Sequence, residues 1–260
     1  MKYYQKLSTI PAFTFHDASQ IIGNTVLVSK NLNTMIKEGS AHRIKRNLYT
    51  CVNFSTGDDY ASRYDIASKI TDDSFLSFHS AFEFYGFYNQ SYFEVQVCST
   101  KRFTEFSYNE YNYKNYLTNN LVQVEVIQGV RVATIERAII DSINMLGKVM
   151  DAEELAKCLQ LIHRVNEKKL LEMLTVYDKE VLYRKTGYVL SHFKDDFHIS
   201  DAFFETCKTT GVPSNKGYLV PNDKTSLVFN SEWGIYAYDD FRKLTFKGGE
   251  ADVWFEENWY

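Results

Sequence analysis

Ser29, Lys30, Asn33, Thr34 and Lys37 fall on the polar side of a segment whose apolar residues Val28, Leu32, Met35 and Ile36 recur at helical spacing. Reading a DNA major groove requires short polar and basic side chains on one helix face, amides and hydroxyls for base edges and cations for phosphate. Next come His42, Arg43, Lys45 and Arg46, crowded onto a short β-prone run and the turn that follows it. A hairpin tip running along the backbone or into the adjacent minor groove carries arginine most readily. Residue by residue, a solvated helix face and an ordinary charged hairpin look the same, and local charge separates the readings. Residues 1–50 hold seven bases against two acids, net +5, while the rest of the chain carries −9. An anionic polymer responds to that local potential and not to the whole-chain net of −4.

Other chemistry is weaker. Glu136, Arg137 and Asp141, with Arg184 and Lys185, suggest an acid–base constellation, but Arg137 and Asp141 stand at i, i+4, where a simple side-chain pair explains them. Gly248-Gly249-Glu250-Ala251-Asp252 has the outline of a nucleotidyltransferase entry. That chemistry needs a downstream D-x-D for two metal ions, and only eight residues follow Asp252. His16, His42, His79, His163, His192 and His198 make no i, i+4 ligand pair, and Cys51, Cys98, Cys158 and Cys207 make no C-x-x-C pair. The cysteines read as reduced, mostly buried thiols. Tyr108, Tyr111, Tyr113 and Tyr116 read as sheet packing or a partner surface. No catalytic residue, metal or cofactor is expected.

The elements that must position the basic residues are legible. Residues 13–23 read as a short helix with Phe15, Ala18, Ile21 and Ile22 on one face and Gly23 ending it. A turn of three or four residues leads to a helix over 26–37, stopped by Gly39. Residues 41–45 and 48–52 then form a hairpin through Arg46-Asn47, since Asn tolerates positive φ. Helix, turn, helix and hairpin is the order of a winged helix-turn-helix. Ser55-Thr56-Gly57-Asp58-Asp59 is a candidate linker, which divides the chain into a DNA-binding domain of residues 1–55 and a larger domain of residues 60–260. The larger part mixes helical spacing (63–69, 77–87, 134–143 and most of 151–190) with alternation at 93–98 and 122–127. Strand-like runs at 226–229 and 233–237 follow, with Asp252-Val253-Trp254-Phe255 near the end of the chain. The fold class is therefore α+β, a mixed α/β chain.

Composition agrees with a globular protein of 260 residues, 45 % hydrophobic and 24 % charged, with 19 Tyr, 19 Phe and only 3 Pro. Disordered and collagenous classes are excluded. No run of about 18 uncharged apolar residues occurs, and the first residues reach Pro11 without the apolar core of a secretion signal, so no membrane is expected and the default compartment is the cytoplasm.

Four segments in order resemble one family. They are the entry ending in Arg46-Asn47-Leu48-Tyr49, then Ser77-Phe78-His79-Ser80-Ala81 ahead of Tyr85-Gly86, then 132–141 with its E-R-x-x-x-D core Glu136, Arg137 and Asp141, then 183–190 with its R-x-x-G-Y core Arg184, Gly187 and Tyr188. Spread over residues 10–190, they resemble the AbiEi antitoxins, the antitoxin half of AbiE phage-defence (abortive infection) toxin–antitoxin systems, also described as transcriptional regulators of viral defence. Family members usually carry a glycine where Asn47 stands. The resemblance implies an N-terminal domain that binds promoter inverted repeats and a C-terminal antitoxin domain that counters a nucleotidyltransferase toxin without a stable complex.

The expected function is thus a non-enzymatic DNA-binding autorepressor and antitoxin. Its expected DNA contacts are Ser29, Lys30, Asn33, Thr34, Lys37, His42, Arg43, Lys45 and Arg46, and its partners are double-stranded DNA and the cognate toxin. The alternative is a nuclease or hydrolase delivered to DNA by the same domain; a protein-interaction adaptor using the aromatic surface is a third.

Overall fold

The computed structural model describes residues 3–211, 216–221, 223 and 226–246. The run Gly248–Asp252 and the closing segment 252–255 lie outside the described residues. The fold is α+β, and the chain separates into two compact units, residues 1–80 with 92–133 and residues 81–91 with 134–260.

The first unit begins with α1 (Tyr4–Leu7), β1 (Ala12–Thr14), α2 (Phe15–Ile22), α3 (Thr25–Lys37), β2 (Ala41–Lys45) and β3 (Leu48–Cys51). Thr14 starts α2 with a capping box, its side chain accepting from the Asp17 amide while Asp17 accepts from the Thr14 amide at 2.8 Å. Gly23, at φ +90°, ends it. Asn24 caps α3 by accepting from the amides of Val26 and Leu27. Because Asn24 is itself the cap, only Gly23 and Asn24 separate the helices, shorter than the expected turn. The three short strands pair antiparallel in the order β1-β3-β2. Leu7, Phe13, Ala18, Ile22, Val28, Leu32, Met35, Ala41 and Cys51 close around one core.

The same unit continues through α4 (Arg63–Lys69) into a six-stranded mixed sheet. Its strands are β4 (Phe75–Leu76), β5 (Glu94–Ser99), β6 (Phe106–Tyr108), β7 (Tyr111–Leu117), β8 (Val124–Ile127) and β9 (Val130–Ala133), in the order β6-β7-β5-β4-β9-β8. The tyrosine cluster is sheet packing: Tyr113 of β7 is buried with its ring stacked 4.7 Å from Phe106, and Tyr116 meets Phe78 edge-on at 5.1 Å. Arg131 of β9 fastens α4 and the following turn, its guanidinium donating to the carbonyls of Ser74 and Thr71.

The expected boundary near residue 55 falls inside this unit. Its cause is non-local: Asp59 and Lys45 find their partners among residues 103–109.

The chain passes between units within α5 (Phe78–Tyr85). The second unit holds α6 (Ile135–Asn144), α7 (Ala152–Gln160), α8 (Glu167–Tyr177), α9 (Glu180–Ser191), α10 (Lys194–Phe197) and α11 (Asp201–Thr210). Thr134 and Asp151 cap α6 and α7 as their positions suggest. A small sheet of β10 (Gly217–Tyr218), β11 (Val228–Asn230) and β12 (Ile235–Ala237) follows, ordered β10-β12-β11. Leu155, Leu159, Leu170, Leu174, Val189, Leu190, Phe193 and Phe203 are buried in its core. All four cysteines are buried with free thiols. Among the described residues no helix is long and apolar enough to cross a membrane.

Candidate nucleic-acid interface

The core sets which face of α3 is available. Burying Val28, Leu32 and Met35 leaves Ser29, Lys30, Asn33, Thr34 and Lys37 exposed on the opposite side, as the periodicity predicts. The turn after β2 is Arg46-Asn47, with Asn47 at φ +66°. Its side-chain carbonyl also accepts from the Phe15 amide at 3.1 Å, which ties the hairpin tip to the first residue of α2. Arg43 and Arg46 are exposed on this hairpin. Among the described residues none of Lys30, Lys37, Arg43 and Arg46 pairs with an acidic side chain. Four uncompensated cations on α3 and the adjoining hairpin form a surface suited to phosphate.

Two of the nine expected contacts sit differently. His42 lies with Nδ1 2.8 Å from the Asp59 carboxylate, which is 7 % exposed in its side chain. The same carboxylate accepts from the Tyr108 hydroxyl at 2.7 Å and the Asn109 amide at 3.3 Å. Burial, with Asp59 beside it, raises the Tyr108 hydroxyl's pKa. Lys45 turns its ammonium over the rings of Phe106 and Phe103, 4.4 and 5.1 Å from their centroids. It is half-buried, and burial lowers its pKa. Both residues brace the hairpin internally, because partners distant in sequence arrive beside them. Sequence spacing held no signal of Asp59 or Phe106 as those partners.

Val26 and Leu27, absent from the expected set, stand in the first turn of α3 at 74 % and 44 % exposure. Their signal in the sequence was that neither belongs to the Val28–Leu32–Met35 stripe.

The acid–base constellation of the second unit is framework. Arg137 and Asp141 are buried, Nε to Oδ2 3.3 Å apart, and the Tyr177 hydroxyl donates to the other oxygen of Asp141. Glu136 accepts from the Asn166 amide at 2.8 Å at the start of α8. On α9, Arg184 donates to the Gly234 carbonyl at 2.8 Å and Lys185 to the Leu219 carbonyl at 3.0 Å. Burial, with Lys148 and Lys179 adding like charge, pushes Lys185 down to about 8. A Cβ on Gly187 would lie 2.0 Å from Cζ3 of Trp233, so the indole occupies the space that glycine leaves. The Tyr188 hydroxyl donates to the Tyr238 carbonyl. The segment 184–188 thus holds the small β10-β12-β11 sheet against α9.

No family model and no curated protein matches the chain. Its fold is similar to the crystal structure of the RV2827C protein from Mycobacterium tuberculosis, at a TM-score of 0.63 and 11 % identity over 93 % of this chain and 91 % of that one.

Proposed function

We propose that this chain is a DNA-binding autorepressor and the antitoxin of a phage-defence toxin–antitoxin operon, with no catalysis of its own. In this reading residues 3–51 form a winged helix-turn-helix, α3 enters the major groove and the β2–β3 hairpin is the wing. The observation that carries it is the set of four unpaired, exposed cations, Lys30, Lys37, Arg43 and Arg46, on those two elements. Ser29, Asn33 and Thr34 stand between the two lysines with the donors and acceptors that base edges require. His42 and Lys45 have a supporting role, holding the wing rather than touching phosphate.

The antitoxin half of the proposal rests on the resemblance of the four sequence segments to AbiEi proteins. On it the second unit counters a nucleotidyltransferase toxin, the DNA partner is a promoter with inverted repeats, and the compartment is the cytoplasm. Delivery of a nuclease is not favoured, because Glu136, Arg137 and Asp141 are each committed to framework bonds.

An electrophoretic shift on the DNA upstream of the chain's own gene tests the first half. Neutralising about four phosphates per subunit gives log K against log salt a slope of roughly −3 to −4. Binding with no preference for that DNA over bulk duplex refutes it. The toxin half is tested by co-expression with the neighbouring gene product: growth arrest relieved by this chain supports it, and arrest unaffected by it refutes it.

A further inference from the structure

Val26 is an apolar side chain placed in line with polar ones. On a helix with 100° per residue, positions 26, 30, 33 and 37 form one stripe, so Val26 shares its line with Lys30, Asn33 and Lys37 rather than with the buried Val28, Leu32 and Met35. At 74 % exposure it is the most exposed of the large hydrophobic residues among those described. Nothing in the core of residues 7–51 calls for it. The cations on its own helix and on the neighbouring hairpin favour a polyanion as the surface that covers it.

The major groove presents one apolar group, the C5 methyl of thymine. We propose that Val26 is a specificity determinant that packs on a thymine methyl in the bound site. The proposal rests on the DNA-binding reading above. A β-branched side chain is fixed at χ1 by the helix, so little freedom is lost when it docks. Asn33, with an amide suited to the paired donor and acceptor of adenine, lies seven residues further along the stripe. Seven residues rise about 10 Å along the helix, so the thymine and the adenine that Asn33 reads are separate base pairs of one half-site.

The test uses the full chain and a duplex site selected from a random library. Each thymine is replaced singly by uracil, which deletes only the methyl, and each duplex is titrated with the wild type and with Val26→Ala. The expected result is one thymine per subunit at which uracil weakens wild-type binding by about three- to five-fold, the worth of a methyl-sized apolar contact. With Val26→Ala that penalty vanishes. If wild-type binding tolerates uracil everywhere, or if Val26→Ala retains the full penalty, the proposal is overturned while the DNA-binding reading stands. If Val26→Ala instead changes the oligomeric state by light scattering, the side chain belongs to a protein contact and the proposal is equally overturned. Selection that enriches no sequence removes both. Since Val26 is exposed, its truncation leaves the core intact, which a matching unfolding temperature confirms.

Discussion

The Asp59 carboxylate lies 2.8 Å from Nδ1 of His42 and 2.7 Å from the hydroxyl of Tyr108, joining the β2–β3 hairpin to the edge of the six-stranded sheet. Three side chains depend on this acceptor. Asp59→Ala leaves the half-buried Tyr108 hydroxyl and the Asn109 amide without it, at a cost of about 1–3 kcal/mol in chemical unfolding. Loss of less than ~0.5 kcal/mol would show that water replaces the carboxylate.

The division among the basic residues gives a second expectation. On the DNA-binding reading each phosphate contact contributes about 0.9 to the salt slope, so Arg43→Ala with Arg46→Ala flattens it by about 2. Lys45→Ala leaves the slope unchanged and lowers stability by about 0.5–2 kcal/mol, because its ammonium rests over Phe106 and Phe103. The opposite pattern would return Lys45 to the phosphate contacts.

Gly187 tests the packing of the segment 184–188. In an open helix Gly→Ala gains about 1 kcal/mol from propensity. Here the new Cβ would lie 2.0 Å from the Trp233 ring, so Gly187→Ala destabilises, by about 1–3 kcal/mol, as overpacked cores do. Tryptophan fluorescence shifts with it. A rise in unfolding temperature would mean that the indole yields without cost.

Lys185 links stability to pH. Its folded pKa of about 8 lies below the ordinary 10.5, so between those values the unfolded chain binds a proton that the folded chain does not. Stability therefore rises from pH 8 to 10.5, by an amount on the order of 3 kcal/mol, and the full penalty for burying the charge is present below pH 8. Lys185→Met removes that rise. Buried tyrosines such as Tyr188, whose pKa is raised, act in the other direction above pH 10 in both proteins, so the difference between the two curves isolates the lysine. Parallel curves would refute the assignment.

Residues 15–51 were legible because their signals are local; α1 was not foreseen, and Phe13 and Thr14, expected in the first helix, belong to strand β1, whose pairing with β3 is non-local. The apolar stripe of α3 and the glycines at 23 and 39 placed its ends within a residue or two, and Asn47 marked the hairpin turn, where its φ of +66° suits a residue that tolerates the left-handed region. The exposed candidates on α3 followed from the same stripe. Strand β7 was not legible: aromatic rings occupy both of its faces, Tyr113 inward against Phe106 and Tyr116 against Phe78, so no clean alternation appears. Helical spacing also ran through 161–166, where Asn166 caps a separate helix α8. The internal partners of His42 and Lys45 lie 17 and 61 positions away, beyond any local pattern.

The bond from the Phe15 amide to Asn47 couples the hairpin tip to the helix pair. Most two-stranded ribbons sway at their tips, and a groove-binding ribbon must be stilled when it docks. Here that ordering is already built into the free protein, so on the DNA-binding reading the duplex meets a preformed template and has to conform to it, with bendable operator sequences favoured over stiff ones.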